Sequence, residues 1–381
     1  MPLNILRTST IPQRYLKDLY ANRIRHAEKM NFEELRAAIF GYFIHEFDQF
    51  SFYVNKGMRY CMTELIVNDT VLQRKWAKEH GLEGALSMDE ILEAQIAYYK
   101  PDIFYDNSYY FMNHDATALK KKYAISAVLA WDAYTGSRFE NQSKGVDMVL
   151  TCVEYIRKIY QRLGFKSALL PFAFDKRIFD ALNNQSSVIN QLCFVGTISD
   201  NVHKERKQLL LDCIRAEIPF SLHISNIGKG RFCISRAQIR ALKDRRFDDF
   251  VDYFCLQAHN LGGVYGLDMY QTLGNNLIQL NIHGDNSLQA GNMRLYEATG
   301  MGSLLLTDWK SNITDIFEPD KEIVTFRNNK EAIDKARYYT AHPEEAAEIA
   351  KNGQMRTFNT YAAENRIRLF ESFCDELISK A

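Results

Sequence analysis

Apolar residues recur in two alternating rhythms along this chain of 381 residues. Short solid apolar runs give way to stretches in which apolar positions return every third or fourth residue, a pattern that predicts parallel sheets covered by helices. Leu3 to Arg7 is the first expected strand, followed by the polar turn Thr8, Ser9 and Thr10 and then Pro12. Residues 31 to 60 read as helical and aromatic, with Phe40, Tyr42, Phe43, Phe47, Phe50, Phe52 and Tyr53, a set suited to a core or to a groove lining. Glu90 to Tyr99 is a helix. Strands are expected at Asp102 to Tyr105, Ser126 to Trp131 and Asp147 to Thr151, followed by a helix from Glu154 to Leu163.

The polar, aperiodic stretch NNQSSVIN, residues 183 to 190, marks the expected boundary. It separates one expected domain, residues 1–185, from a second, 191–360, with helical sequence continuing over 361–381. Beyond the boundary the same grammar restarts with the strand Gln191 to Val195, Gly196 and Thr197, and the basic helix HKERKQLLLDCIRAE. Strands at Phe220 to Ile224, Asn276 to Asn281, Ser303 to Thr307 and Glu322 to Phe326 follow. A charged insertion at Arg240 to Arg246 and a glycine-rich turn at Gly262 to Gly266 interrupt them. The turn opens the helix LDMYQTL, and helices are expected from Lys330 to the end.

The densest chemistry lies in NMRLYEATGMGSLLLTDW. Asn292 is placed to cap a short helix, and Arg294 and Glu297, three residues apart, share one of its faces. Gly300 and Gly302 stop that helix, and a strand buried on both faces carries the chain to Asp308. The pair reads either as a surface ion pair or as a guanidinium for a diphosphate beside a carboxylate for a ribose diol. Gly196 allows close backbone approach, while Thr197, His203, Lys204 and Arg206 bring donors to a helix N-terminus; the run HKERK equally suits a solvated face. In the first half, strand ends converge on Asp106, Asn107 and Asp132, with His114 on a nearby loop. Asp106 and Asp132 read as turn caps or as bases, and His114 as a base or an ordinary loop histidine.

Composition narrows the function classes. With 46% hydrophobic and 25% charged residues, and 47 cationic against 47 acidic side chains, the chain is globular and has no net field to recruit nucleic acid. The seven cysteines have no zinc-ligand spacing and read as small core residues in a reducing compartment. The N-terminus MPLNILRTSTIPQRYLK lacks an apolar signal region and no window suits a membrane span, so the expected location is cytoplasmic, with peripheral contact at the inner membrane face left open. RTSTIP after the first strand argues against a dinucleotide-binding dehydrogenase. No Asp-x-Asp loop for a metal is evident.

The run MRLYEATGMGSLLLTDW, the phrases FEPDKEIVTF and FVGTIS, and the segment YYTAHPEEAAEIAKNGQMR resemble the donor domain of GT-B glycosyltransferases. The similarity is nearest the CgeB-like, spore-maturation-protein-like group, related to glycosyltransferase family 4. Weaker similarity extends through YKPDIFYD, VDMVLT and GFKSALLPFAFD. The resemblance implies an α/β fold of two Rossmann-like, doubly wound domains facing across a cleft, with the last helix crossing back to the first. It implies a metal-independent transfer from a UDP-, GDP-, dTDP- or CMP-linked sugar to a hydroxyl of a glycan, glycolipid or protein. Glu297 would hold the ribose, and Arg294, Thr197, His203 and Arg206 would face the diphosphate. Tyr265 and Gly266 would lie beside the base, and the stretch from Asn281 through His283 to Asp285 near the sugar. Asp106, His114 and Asp132 are the acceptor-side base candidates of an inverting reaction. The family 4 pattern Glu-x7-Glu is half present, since Gln289 stands at its first position; this leaves the stereochemistry open, along with an epimerase or a non-catalytic scaffold on the same fold.

Overall fold

The computed structural model describes residues 2–44, 46, 48–82, 84–133, 141–182, 187–199, 201–229 and 236–379. Phe47 and the first four residues of the polar stretch 183–190 lie outside them. The chain divides into two compact units, Met1–Pro171 with Ala363–Ala381, and Phe172–Ala362.

The first unit is built on six strands: β1 (Leu3–Ser9), β2 (Tyr60–Ile66), β3 (Ile103–Asn107), β4 (Ala127–Trp131), β5 (Met148–Thr151) and β6 (Ser167–Leu169). They pair in parallel in the order β2-β1-β3-β4-β5-β6. Strand β4 is buried throughout, as a parallel strand covered on both faces must be. Residues 31 to 60 are not one helical stretch. Phe32–Phe40 and Gln49–Val54 are helical, and Tyr60 already begins the edge strand β2.

Arg7 shows why this sheet tolerates a charge in an interior strand. It is 1% exposed, lies opposite Glu64 of β2 and Tyr105 of β3, and donates from Nη1 to Glu64 Oε2 at 2.9 Å. Its guanidinium lies 4.3 Å from the centre of the Phe50 ring, and Glu64 Oε1 accepts the Ser51 amide at 2.7 Å. Burial pushes the Glu64 carboxyl up to about 7 against the pull of Arg7. The terminal helix Ala363–Ile378 belongs to this unit: its Arg366 reaches Glu46 and Gln49, and Phe370 meets Phe50 edge-on with 5.2 Å between centroids.

The second unit holds β7 (Ile189–Gly196), β8 (Phe220–Ile224), β9 (Asn276–Asn281), β10 (Leu304–Asp308) and β11 (Val324–Phe326). The order is β11-β10-β9-β7-β8, again all parallel. In both sheets the order reverses beside the first strand, between β1 and β3 and between β7 and β9, the crevice where open α/β sheets bind ligands. The charged insertion is part of a helical pair, Arg236–Lys243 and Phe247–His259. Gly302, at φ 77°, provides the left-handed stop, whereas Gly300 is needed for packing: a Cβ there would come within 2.3 Å of the Phe174 ring.

Candidate functional site

Polar side chains of the second unit collect where β7 and β9 end. Arg206, in the first turn of helix Lys204–Arg215, ties the two strand ends together: Nη1 donates to the Thr197 carbonyl at 2.9 Å and Nη2 to the Ile282 carbonyl at 2.5 Å. Its Nε is buried without a hydrogen-bond partner. Burial brings the guanidinium down to about 10, against the carboxylates of Asp308 and Asp285, so it stays cationic at neutral pH. His203 stands just ahead of the helix with Nδ1 buried and unpartnered. Burial, reinforced by the Arg206 charge, takes its ring down to about 4 and keeps it neutral.

Asp285 has a different place from the one its sequence neighbours suggest. Its carboxylate accepts the Lys204 amide at 2.7 Å and the Glu205 amide at 3.3 Å, capping the helix that follows β7. Two N–H groups of that helix start are therefore answered from within the protein.

Arg294 and Glu297 form a shielded pair. Nη1 lies 3.0 Å from Glu297 Oε2 with the side chains 14% and 9% exposed, and Nη2 donates to the Val195 carbonyl of β7 at 3.2 Å. A surface ion pair would leave both groups in water; here the backbone of β7 fixes the cation beside the strand end. Nη2 also lies 3.6 Å from Met269 Sδ, on the helix Gly266–Gly274 that Tyr265 precedes. Gly266 opens that helix at φ 52°.

Asn292 does not cap the helix Arg294–Gly300. Met293 occupies the cap position with no side-chain bond, and Asn292 instead donates to Asn281 Oδ1 at 2.8 Å. Asn281 in turn donates to Thr307 Oγ1 at 2.9 Å, so a polar ladder joins the loop to the ends of β9 and β10. Gly196 is also explained internally: a Cβ there would lie 2.8 Å from the Phe194 ring.

His283, 4% exposed, directs both its backbone amide and Nδ1 to Asp308 Oδ1, at 3.0 and 2.7 Å. Burial would raise the Asp308 carboxyl, but the His283 hydrogen bond and charge, with Lys310 at 3.2 Å, outweigh it and hold Asp308 below its ordinary value. An ionised Asp308 only accepts, so Nδ1 carries the hydrogen and the ring is held with Nε2 turned away from Asp308. Nε2 is buried with no partner. The sequence places Asp308 at the carboxyl end of a buried strand, where open α/β sheets bind ligands, but shows no partner for it; the structure makes it the last residue of β10, paired with His283.

The three acceptor-side candidates lie in the first unit and are engaged internally. Asp106 accepts Thr8 Oγ1 at 3.1 Å, the Ser108 amide and hydroxyl at 2.8 and 2.7 Å, and the Phe111 amide at 3.0 Å. Asp132, fully buried, accepts the Tyr160 hydroxyl at 2.6 Å. His114 stacks on Tyr110, 3.8 Å between centroids, with Nδ1 2.9 Å from the Tyr110 carbonyl. Among the described residues no group of three or more His, Cys, Asp or Glu side chains is placed to hold a metal ion.

Residues 206–372 match a family model described as glycosyl transferase-like. This glycosyltransferase-like region begins at Arg206 and includes His283, Arg294, Glu297 and Asp308. HepE from Anabaena, solved with UDP and glucose, superposes with a TM-score of 0.60 at 12% identity over 98% of this chain and 100% of its own. A glycosyltransferase from Rickettsia africae gives a TM-score of 0.60 at 11% identity, with both chains covered in full. Sucrose-phosphate synthase from Thermosynechococcus elongatus gives 0.56 at 10%, again over all of both chains. The fold is the α/β arrangement of GT-B glycosyltransferases, with two Rossmann-like domains on parallel sheets. No curated protein sequence matches the chain.

Proposed function

We propose that this protein transfers a sugar from a nucleotide-sugar donor to a hydroxyl of a glycan, glycolipid or protein, as a cytoplasmic member of the CgeB-like group related to family 4. The observation that carries this reading is the cluster of buried, unpartnered polar atoms around the ends of β7 and β9: His203 Nδ1, Arg206 Nε and His283 Nε2. A buried polar atom left unanswered costs about 1–3 kcal/mol. Several at one crevice favour a polar ligand that completes them. The glycosyltransferase-like match over residues 206–372 and the UDP and glucose bound by HepE make a nucleotide sugar the chemistry to expect.

In this reading Glu297 accepts the ribose hydroxyls, and Arg294 and Arg206 offset the negative charge that develops on the departing diphosphate, without a metal ion. His283, held through Nδ1 by Asp308, presents Nε2 to a hydroxyl of the transferred sugar. Tyr265 lies beside the base, and the acceptor-side base comes from Asp106, His114 or Asp132.

The test is titration calorimetry of the full chain with UDP, GDP, dTDP and CMP and their sugars, with and without EDTA, followed by the same titrations on Glu297→Ala. Binding of one nucleotide class that survives EDTA is the expected result. The variant, folded by circular dichroism though less stable because Arg294 loses its partner, should bind roughly tenfold to a hundredfold more weakly, as loss of a hydrogen bond to a charged group implies. Equal affinity in the folded variant would remove Glu297 from the site, and no binding in any titration would sink the donor reading.

A further inference from the structure

A surface of the second unit, formed by none of the residues that hold the donor in the proposed reading, has the chemistry of a lipid contact. The helices Arg236–Lys243 and Phe247–His259 are joined by a turn in which Arg245 adopts φ 56°. The second helix buries Tyr253, Leu256 and Gln257, and its carboxylates Asp249 and Asp252 face Lys207. Its other face carries Phe247, Val251 and Phe254, spaced i, i+4 and i+7 and between 40% and 65% exposed. Ile239 and Leu242 on the first helix are 46% and 41% exposed. Helical spacing aligns the first three residues as one apolar stripe, and stripes of this kind in water-soluble domains mark contact surfaces.

The charges beside the stripe identify what covers it. Residues 236 to 246, RAQIRALKDRR, contain five cations and one carboxylate. Arg240, Lys243 and Arg245 are exposed, and among the described residues none of them has a carboxylate within ion-pair distance. A second copy of the chain docking face to face would set these cations against their own counterparts, which is repulsive. Apolar side chains with unpaired cations on the adjoining helix and turn, outnumbering the exposed Asp248, match the interface of an anionic bilayer, where the rings enter the acyl boundary and the cations meet the headgroups.

We infer that the helical pair 236–259 docks this protein on anionic lipid surfaces, a role that does not depend on the donor-site reading. The experiment is co-sedimentation of the full chain with vesicles of phosphatidylcholine alone and of phosphatidylcholine mixed with phosphatidylglycerol. Two double variants are run in parallel, Phe247→Ser with Val251→Ser and Arg240→Glu with Lys243→Glu, each checked by circular dichroism and by mass in solution. The wild type should pellet with the mixed vesicles and not with phosphatidylcholine alone, and added salt should release it. Each double variant should bind the mixed vesicles roughly tenfold more weakly with an unchanged spectrum. The inference falls if the wild type stays in the supernatant with mixed vesicles, or if either folded double variant pellets as well as the wild type. It also falls if the wild type is a dimer that Phe247→Ser with Val251→Ser converts to monomer, since the stripe is then covered by a second copy. A protein ligand as the occupant predicts the first of these outcomes.

Discussion

The two sheets reverse strand order in the same way, yet their strand ends are finished differently. At the strand ends of the first unit the candidate carboxylates are answered, Asp106 by four hydrogen bonds from Thr8, Ser108 and Phe111 and Asp132 by one from Tyr160, whereas Arg7 Nε and the Tyr105 hydroxyl, inside the sheet, are buried without a hydrogen-bond partner. In the second, Arg206 and His283 use part of their capacity on the protein and each keep one buried atom unanswered, as does the His203 ring at Nδ1. A closed hydrogen-bond network stabilises a fold, whereas an open one at the same topological position fits a ligand. The contrast teaches that topology marks two equivalent crevices and side-chain accounting separates them.

The largest effect that can break this contrast is expected in the first unit. Arg7→Met leaves Glu64 buried without its guanidinium, and removal of one partner from a buried pair costs about 3 kcal/mol or more. Urea unfolding should show that loss, while nucleotide affinity of the still-folded variant stays at the wild-type value. A change under about 0.5 kcal/mol, the size of an ordinary surface substitution, would mean that the Arg7–Glu64 pair is not a structural element.

Asp106→Asn comes next. The amide can accept fewer of the four hydrogen bonds and places its NH2 against a donor, so a stability loss of about 1–3 kcal/mol is expected. If stability is untouched and sugar transfer is abolished, Asp106 is a base and the first unit's crevice is catalytic after all.

The same accounting explains how much was legible in the sequence. Phe220–Ile224 and Asn276–Asn281 are strands with the expected limits, because a solid apolar run bounded by turn residues has few other uses. Tyr60–Ile66 was not anticipated: as an edge strand it alternates buried Tyr60 and Met62 with exposed Cys61 and half-buried Thr63, which blurs into the helical pattern before it. Helices Thr70–Glu79 and Phe247–His259 were likewise not anticipated. The second has exposed apolar residues opposite its buried ones, so its periodicity is weak. Within the site, Arg294 and Glu297 could be read together because helix geometry fixes residues three apart. The bonds from His283 to Asp308 and from Lys204 to Asp285 span 25 and 81 positions, and only the folded sheet brings those partners together. Asn292 was assigned a local cap because local pairing is what a sequence displays; its actual partner, Asn281, lies across the loop.

Asp308→Asn sharpens the contrast at about the next size down. The amide oxygen must still face Nδ1, because it also accepts the His283 backbone N–H; the NH2 then meets Lys310, and the carboxylate charge that holds the ring is lost. About a tenfold fall in donor affinity or transfer rate is expected, by analogy with residues that orient a functional histidine from behind. His283→Gln should lose as much, and the double variant little more, because the two act as one unit. Additive losses would separate the pair.

The smallest effect is a pH dependence, and its sign follows from His203. The ring is neutral in the fold down to about 4, below the ordinary histidine value, because burial and the Arg206 cation oppose its charge. A depressed value contributes stability that is present above the unfolded pKa, near 6.5, and lost as pH falls from there through about 4. A bound diphosphate reverses the local field, replacing the Arg206 charge as the nearest influence with a negative one, so the His203 pKa should rise on binding. The complex then takes up a proton in the same interval, and affinity for a nucleotide sugar, whose diphosphate has no protonation step there, should tighten as pH falls from about 6.5 toward 5. Calorimetry in two buffers of different ionisation enthalpy reads the proton uptake directly. His203→Gln should abolish it and leave the acid stability curve shallower over that interval. Proton uptake that persists in the variant would assign the titration to another group and take His203 away from the diphosphate.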